Sequence, residues 1–191
     1  MRTLTIECSS SVGSVALTEN NHSIITRSFE NPRGRGTMLF SVLEEVIADS
    51  KAFDRVLVGT GPGSYNALRS SIAAAWGIAK ARRIQVSGIS SVLGYEAGEY
   101  FVVGDARSNQ CFFGHVLKGR LTSPLELLNP ETASSRLIAG IPVYSTGANL
   151  LDAEIIHPSA STLARHADQA GLAEPIYLKP PHITPSRPKT T

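Results

Sequence analysis

The stretch that most constrains this chain covers residues 56–81, where the pattern predicts a strand, a glycine turn and a helix. Val56–Val58 is a short branched apolar run typical of a buried strand. The residues Gly59–Gly63 include three glycines and a proline, which predict the turn. Ser64 and Asn66 are both candidate N-caps, because a short polar side chain accepts a hydrogen bond from a free backbone N–H. Such a turn points N–H groups and the positive end of the helix dipole toward one place, which suits an anion.

The predicted helix has two stripes at helical spacing. The apolar stripe consists of Leu68, Ile72, Ala75 and Ile78, and the small-residue stripe consists of Ser70, Ala73, Ala74, Gly77 and Ala81. A helix that is apolar or small on nearly all sides is usually covered on more than one face. Either the helix is buried within its own domain, or the small-residue stripe meets another protein.

Composition limits the class of protein. The 191 residues are 42% apolar and 18% charged with a net charge of +2, which fits a globular chain of one domain or two small ones. This charge implies no strong attraction to nucleic acid or membrane. Two cysteines argue against a disulfide scaffold and for a reducing compartment. No apolar run reaches the roughly 20 residues of a membrane span, so we expect a cytoplasmic protein.

The first part of the chain alternates elements in a recognisable order. The predicted elements are strands at Leu4–Cys8, Gly13–Leu17 and Ser23–Phe29, a helix from Thr37 to about Ser50, the strand and helix described above, a strand at Gln85–Ile89, and a short helix capped by Ser90 or Ser91 that ends near Gly98. Three meandering strands followed by alternating helices and strands predict a mixed sheet covered by helices.

The second part begins in the same way. The predicted elements are strands at Tyr100–Gly104, Cys111–Leu117, Leu125–Leu128, Ile141–Tyr144 and Glu154–Ile156, a helix that starts at Asn129-Pro130, and a helix from Ser159 to Ala170 closed by Gly171. The order strand, acid, turn, strand occurs at Glu7 and again at Asp105. We interpret this repetition as an internal duplication with domains at residues 1–98 and 99–191. The proline-rich tail after Leu178 is expected to be irregular.

Four segments in this order resemble the TsaB (YeaZ) family. They are Gly61-Pro62-Gly63-Ser64-Tyr65-Asn66-Ala67-Leu68-Arg69, Gly88-Ile89-Ser90-Ser91, Asp105-Ala106-Arg107 and Pro175-Ile176-Tyr177-Leu178. The first segment is quite specific, and the resemblance extends from Leu4 to Leu178. It implies an α/β protein made of two related halves of the actin-like, Hsp70-like ATPase (ribonuclease H-like) fold, with mixed sheets flanked by helices.

The resemblance also implies a role in making threonylcarbamoyladenosine at position 37 of tRNA. It implies a non-catalytic chain that supports a TsaD-like catalytic subunit, with a TsaE-like ATPase as a further partner, a homodimer as another assembly, and tRNA contacted indirectly. The family's contact through the helices of the first half predicts a partner interface at Met38, Val42, Ser70, Ala73, Ala74, Gly77 and Ala81. No cofactor is required, and ATP or ADP with magnesium at a subunit interface is left open.

An alternative function is an actin-like ATPase or a small-molecule kinase. Its candidate cofactor-binding residues are Glu7, Gly61, Gly63, Ser64 and Asp105. In that interpretation the two carboxylates face each other across a cleft and hold a magnesium–phosphate unit. In the other interpretation they are strand-end acids, one of them capping the turn after it, and the glycine turn only packs a helix on a sheet. Glu7 departs from the aspartate of the family pattern.

Other chemistry finds little support. No two histidines have the i, i+4 spacing of a helical metal site, so we predict neither a metal site nor catalytic residues. Cys8 and Cys111 stand alone and are predicted to be buried thiols. The scattered cations are predicted to be solvated and not to form an RNA-binding face; they are Arg33, Arg35, Arg82, Arg83, Lys179, Arg187 and Lys189.

Overall fold

The structure is a computed structural model that describes residues 1–31, 37–50, 52–147 and 150–179. The first part of the chain forms strands and helices in the predicted order, with bounds that differ by a few residues. The strands are β1 (Arg2–Glu7), β2 (Val12–Glu19), β3 (His22–Glu30), β4 (Arg55–Gly59) and β5 (Gln85–Ile89), and the helices are α1 (Thr37–Asp49) and α2 (Tyr65–Arg82).

These strands form a mixed sheet in the order β3-β2-β1-β4-β5. The first three pair antiparallel, and the tight turn between β2 and β3 has positive φ angles at Asn20 and Asn21. Such a turn matches the twist of the strands that it joins. Strands β4 and β5 pair in parallel with their neighbours, because α1 and α2 carry the chain back to the same edge. The predicted mixed sheet is confirmed.

The second part of the chain forms a second mixed sheet. Its elements are β6 (Glu99–Asp105), β7 (Cys111–Leu117), β8 (Arg120–Leu121), β9 (Glu126–Leu128), α3 (Pro130–Ser135), β10 (Val143–Ser145), β11 (Glu154–Ile155) and α4 (Ala160–Arg165). The sheet order is β11-β10-β6-β7-β8, and β9 also pairs with β7. Helix α3 begins as predicted, since the Asn129 side chain accepts a hydrogen bond from the Thr132 N–H at 2.7 Å.

The two sheets share one topology. The strand β1 pairs antiparallel with β2 and parallel with β4, and β6 pairs antiparallel with β7 and parallel with β10. This repetition supports the predicted duplication. The division at residues 98 and 99 stays a prediction, because the chain after Pro158 returns to the first sheet.

Helices cover both faces of the first sheet. The core cluster on one face joins both N-terminal helices to alternate residues of the central strands; it includes Leu43, Val46, Ile72, Ala75, Leu4, Ile6, Val56 and Val58. Leu57 points the opposite way, as alternation along a strand requires, and packs in a second cluster with Leu163 of α4. Helix α4 is fixed there by the Ala160 N–H, which donates to Ser14 Oγ at 2.9 Å.

The segment after α4 runs back along the first sheet. We call residues 171–179 the strap. Gly171 and Gly88 exchange both backbone hydrogen bonds, and the Ile176 N–H donates to the Thr60 carbonyl at 2.8 Å. A side chain at Gly88 would overlap the backbone of Leu172, so this glycine permits the close approach. The strap therefore ties the C-terminal residues to the strand β5 and to the end of β4.

Two predicted helices are wrong in extent. The short helix expected up to Gly98 is a 3₁₀ turn at Ser91–Leu93. Ser90 occupies its N-cap position without a side-chain capping bond, and the Ser91 hydroxyl bonds to Glu7. The helix expected to reach Ala170 divides into α4 and a 3₁₀ turn at Ala167–Gln169.

Helix α2 differs from its prediction in two details. Ser64 occupies its N-cap position without a side-chain capping bond, and Asn66 already lies in the helix. The core-facing side includes Ser71 and Ala79, while Ile78 is only half-buried. The predicted loop at 32–36 with Arg33 and Arg35, and the predicted irregular tail beyond residue 179 with Arg187 and Lys189, lie outside the described residues.

Candidate functional site

Glu7, at the end of β1, is completely buried and bonded within the chain. Its Oε1 accepts from the Ser9 N–H at 2.6 Å, and its Oε2 accepts from the Ser91 hydroxyl at 2.7 Å. The same hydroxyl accepts from the Gly61 N–H at 2.9 Å. A side chain at Gly59 would overlap Glu7 Oε2, so the end of β4 closes over the carboxyl group. Glu7 thus links the turns after β1, β4 and β5.

Burial raises the pKa of Glu7 above its ordinary value. The hydrogen bonds from Ser9 and Ser91 act in the opposite direction but do not outweigh the loss of hydration. Because both oxygens are engaged and buried, Glu7 offers no ligand to a magnesium–phosphate unit in this arrangement.

The same burial raises the pKa of the neighbouring Cys8 thiol. Cys8 and Cys111 are both buried and unbridged, as predicted.

Asp105, at the end of β6, caps the turn that follows it. Its Oδ1 accepts from the Arg107 N–H at 2.8 Å, two residues along the chain, just as Glu7 accepts from Ser9. Both predicted strand-end acids therefore hold the turn after their own strand. They differ in environment, since Asp105 is exposed and Glu7 is not.

The Gly61–Ser64 turn is closed by contacts within the chain. The Gly61 N–H is bonded to Ser91, and the Ser64 N–H donates to the Ser9 carbonyl at 2.8 Å. A side chain at Gly63 would overlap that carbonyl, so the turn lies directly on the end of β1. These contacts use two of the N–H groups that a phosphate cradle would need, and they match the packing interpretation of the turn.

The small-residue stripe of α2 lies on the surface. Ala73, Gly77 and Ala81 are exposed, and Ser70 and Ala74 are half-buried. A Cβ at Gly77 would meet no atom within 4 Å. The chain's own residues therefore leave this side of the helix open, and α2 is not buried on all faces within its own domain.

Helix α1 contributes a second exposed apolar group. Met38 is exposed, as a contact residue must be, but Val42 packs into the core with only 9% of its surface accessible. Phe40 and Trp76, which the sequence reasoning missed, are 56% and 53% exposed. Both are large apolar residues outside the apolar stripe of their helix, and this displacement is the signal that could have found them.

The described ranges contain neither a metal-binding group of side chains nor a membrane-spanning helix. Among residues 1–31, 37–50, 52–147 and 150–179, no three His, Cys, Asp or Glu side chains are grouped so that they could hold a metal ion. Over the same ranges, no helix has the length and apolar character to cross a membrane.

This chain matches a family model and a group of mycobacterial proteins. The family model for TsaD, tRNA N6-adenosine threonylcarbamoyltransferase, matches residues 36–119. Uncharacterized proteins of Mycobacterium tuberculosis and Mycobacterium bovis are 29% identical over 141 residues, which is 69% of this chain and 67% of theirs.

Solved structures show the fold. YeaZ from Pseudomonas aeruginosa superimposes with a TM-score of 0.70 at 21% identity, over 93% of this chain and 99% of that chain. The ethanolamine utilization protein EutJ from Carboxydothermus hydrogenoformans gives a TM-score of 0.50 at 11% identity, over 86% of this chain and 89% of its own. The predicted actin-like ATPase fold is thereby confirmed. The family model covers less than half of the chain, and the solved structures show that the chain shares the fold of YeaZ.

Proposed function

We propose that this chain is a non-catalytic subunit that supports transfer of a threonylcarbamoyl group to adenosine 37 of tRNA by a TsaD-like partner. A TsaE-like ATPase joins this assembly, and the partner receives the adenosine that is to be modified. The observation that carries the proposal is the open small-residue stripe of α2, centred on Gly77.

The surface around this stripe suits a protein partner. Small side chains let the backbone of a second helix come close, and exposed aromatic side chains supply large apolar area to bury. Trp76 adjoins the stripe on α2, and Met38 and Phe40 are exposed on α1. We propose that these residues, with Ser70, Ala73, Ala74, Gly77 and Ala81, contact the TsaD-like subunit. Val42 acts only indirectly, by supporting α1 from the core.

The alternative, an ATPase or kinase, has less support. It needs Glu7 to face a nucleotide, whereas both Glu7 oxygens are bonded to Ser9 and Ser91 away from solvent. It also needs free N–H groups in a turn that lies on Ser9. ATP or ADP bound between subunits remains a separate proposal that needs no catalytic role for this chain.

The proposal is tested by mixing the full chain with the TsaD-like subunit of the same organism at micromolar concentration. Size-exclusion chromatography with light scattering should give one peak with the mass of a heterodimer. Gly77→Leu should abolish that peak, because a leucine side chain would hold the facing backbone away. Gly98→Leu is the matched control, since a Cβ at Gly98 also meets no atom within 4 Å.

Separate elution of the two wild-type proteins would contradict the proposal. So would a Gly77→Leu chain that assembles as well as Gly98→Leu. If the chain alone elutes as a dimer that Gly77→Leu disrupts, a second copy occupies the same surface and competes with the partner.

A further inference from the structure

A cluster of aromatic and basic side chains connects the two halves of the molecule on a different part of the surface. Tyr65 and Arg69 lie in the first turns of α2, and Tyr177 and Lys179 lie on the strap. Arg107 belongs to the turn after β6. The order Arg69, Tyr65, Tyr177, Lys179, Arg107 follows a continuous path across the surface.

Hydrogen bonds, ring contacts and the course of the strap join the residues of this path. Arg69 Nη1 donates to the Tyr65 hydroxyl at 2.7 Å, and the guanidinium carbon lies 5.0 Å from the centre of that ring. The Tyr65 and Tyr177 ring centres are 5.3 Å apart at an angle of 32°. Lys179 follows Tyr177 by two residues, and its Nζ donates to the Arg107 carbonyl at 3.0 Å. The two rings are each about half exposed.

The cations of this cluster are available to an anion. Within the described part of the chain, Arg69, Arg107 and Lys179 form no ion pair, whereas five other arginines do, for example Arg120 with Asp168. The acidic groups on the same segments are Asp105, which holds the Arg107 N–H, and Glu174 on the strap. Three cations against two carboxylates leave the cluster positive.

We propose that this cluster binds single-stranded RNA, with an unpaired base on the tyrosine pair and the backbone phosphates along Arg69, Lys179 and Arg107. Aromatic rings next to cations are the groups with which proteins bind unpaired nucleotides, because every base has a face that can stack. A protein partner explains the cations less well, because it would have to supply carboxylates at the spacing of phosphates. This inference goes beyond the expectation that Lys179 is only solvated, and extends the proposed function to direct contact with the RNA substrate.

The test measures binding of a short fluorescent single-stranded oligoribonucleotide to the full chain alone, by anisotropy over a series of salt concentrations. Tyr177→Ala should weaken binding about tenfold, and Tyr177→Phe should bind like the wild type because it keeps the ring. Arg69→Gln and Lys179→Gln should each lower the slope of log affinity against log salt by about 0.7. Lys118→Gln is the control, because Lys118 is an exposed lysine in the turn between β7 and β8 and its replacement removes the same charge.

A variant that is expected to strengthen RNA binding distinguishes a local effect from a general loss of structure. Asp105→Asn keeps an oxygen acceptor for the Arg107 N–H and removes one negative charge, so it should bind the RNA more tightly. The proposal is overturned if Lys118→Gln weakens binding as much as Lys179→Gln, or if Tyr177→Ala binds like the wild type. It is also overturned if Tyr177→Ala loses the TsaD-like subunit while keeping its RNA affinity, since the cluster would then be a protein contact.

This inference rests on the proposed function only for the identity of the RNA, and the two can fail separately. A chain that joins the TsaD-like subunit but binds no oligoribonucleotide refutes only the RNA site. A chain that binds the oligoribonucleotide but elutes apart from the subunit refutes only the proposed assembly.

Discussion

A single buried carboxyl group organises the end of the first sheet. Glu7 is bonded to Ser9, two residues away, and to Ser91, 84 residues away. The second bond brings the turn after β5 against the turn after β1, and the Gly61 N–H joins through the same hydroxyl. A buried acid with all its bonds satisfied is a structural link, and the turn that begins α2 depends on it.

The pH dependence of stability should reveal this link. Since the pKa of Glu7 is raised in the native state, the folded chain holds this proton more tightly than the unfolded chain does. Its contribution to stability is complete below the ordinary glutamate pKa and is lost as pH rises through the native pKa, by at most about 1.4 kcal/mol per pH unit. Glu7→Gln resembles the protonated acid and cannot ionise. We therefore expect the variant to gain stability relative to the wild type as pH rises from 4.5 toward neutrality.

Urea midpoints measured at several pH values would check this expectation. If the urea midpoints of the wild type and Glu7→Gln differ by the same amount at every pH, the expectation is contradicted. Ser91→Ala provides a contrast, because it leaves the carboxylate with one fewer donor, raises the pKa of Glu7 further and should extend the fall in stability to higher pH.

At the scale of elements, helix α2 has one face buried against the first sheet and another face exposed to solvent. Leu68, Ile72 and Ala75 are buried against the first sheet, while Gly77 is open to solvent. Glycine within a helix costs conformational entropy that alanine does not. Its presence at an exposed position is explained by the proposed close approach of a partner and not by any need of the isolated chain.

The isolated chain should consequently become more stable when this glycine is replaced. Gly77→Ala should raise the free energy of unfolding by about 0.5–1 kcal/mol, because the added Cβ meets no atom and alanine favours the helix. Gly88→Ala should have the opposite effect, since its Cβ would overlap the Leu172 backbone. Denaturant unfolding of both variants checks these two stability changes. A destabilised Gly77→Ala chain would mean that the helix surface is not open.

For the whole molecule, the return of the chain after Pro158 is the main integrating feature. Helix α4 covers the face of the first sheet that α1 and α2 leave free, and the strap pairs with β5 at Gly88. The two sheets therefore do not stand as independent units, although each repeats the same strand order.

The hydrogen bond from the Ala160 N–H to Ser14 Oγ should contribute to the docking of α4 on the first sheet. Ser14→Ala removes the acceptor of the buried Ala160 N–H, so unfolding free energy should fall by about 1–3 kcal/mol. Ser135→Ala is the control, because that hydroxyl is exposed and bonds only the Thr132 carbonyl in its own helix; its effect should stay within about 0.5 kcal/mol. Equal urea midpoints for the two variants would show that α4 docks without this bond.

The sequence by itself determined the elements whose signals are local. The branched run before Gly59, the turn between β2 and β3, and the Asn129-Pro130 helix start depend on residues adjacent in the chain, so their patterns are readable without the fold. The small-residue stripe was also readable, because helical spacing fixes which residues share a face.

Only the tertiary structure decided how distant groups meet. Ser91 looked like a helix cap, yet its hydroxyl donates to Glu7 from the turn after β5, 84 residues along the chain. Tyr65 and Tyr177 are 112 positions apart in the sequence, and only the path of the strap brings their rings together. Such contacts depend on how strands and returning segments pack, because burial and long-range hydrogen bonds can override local preference.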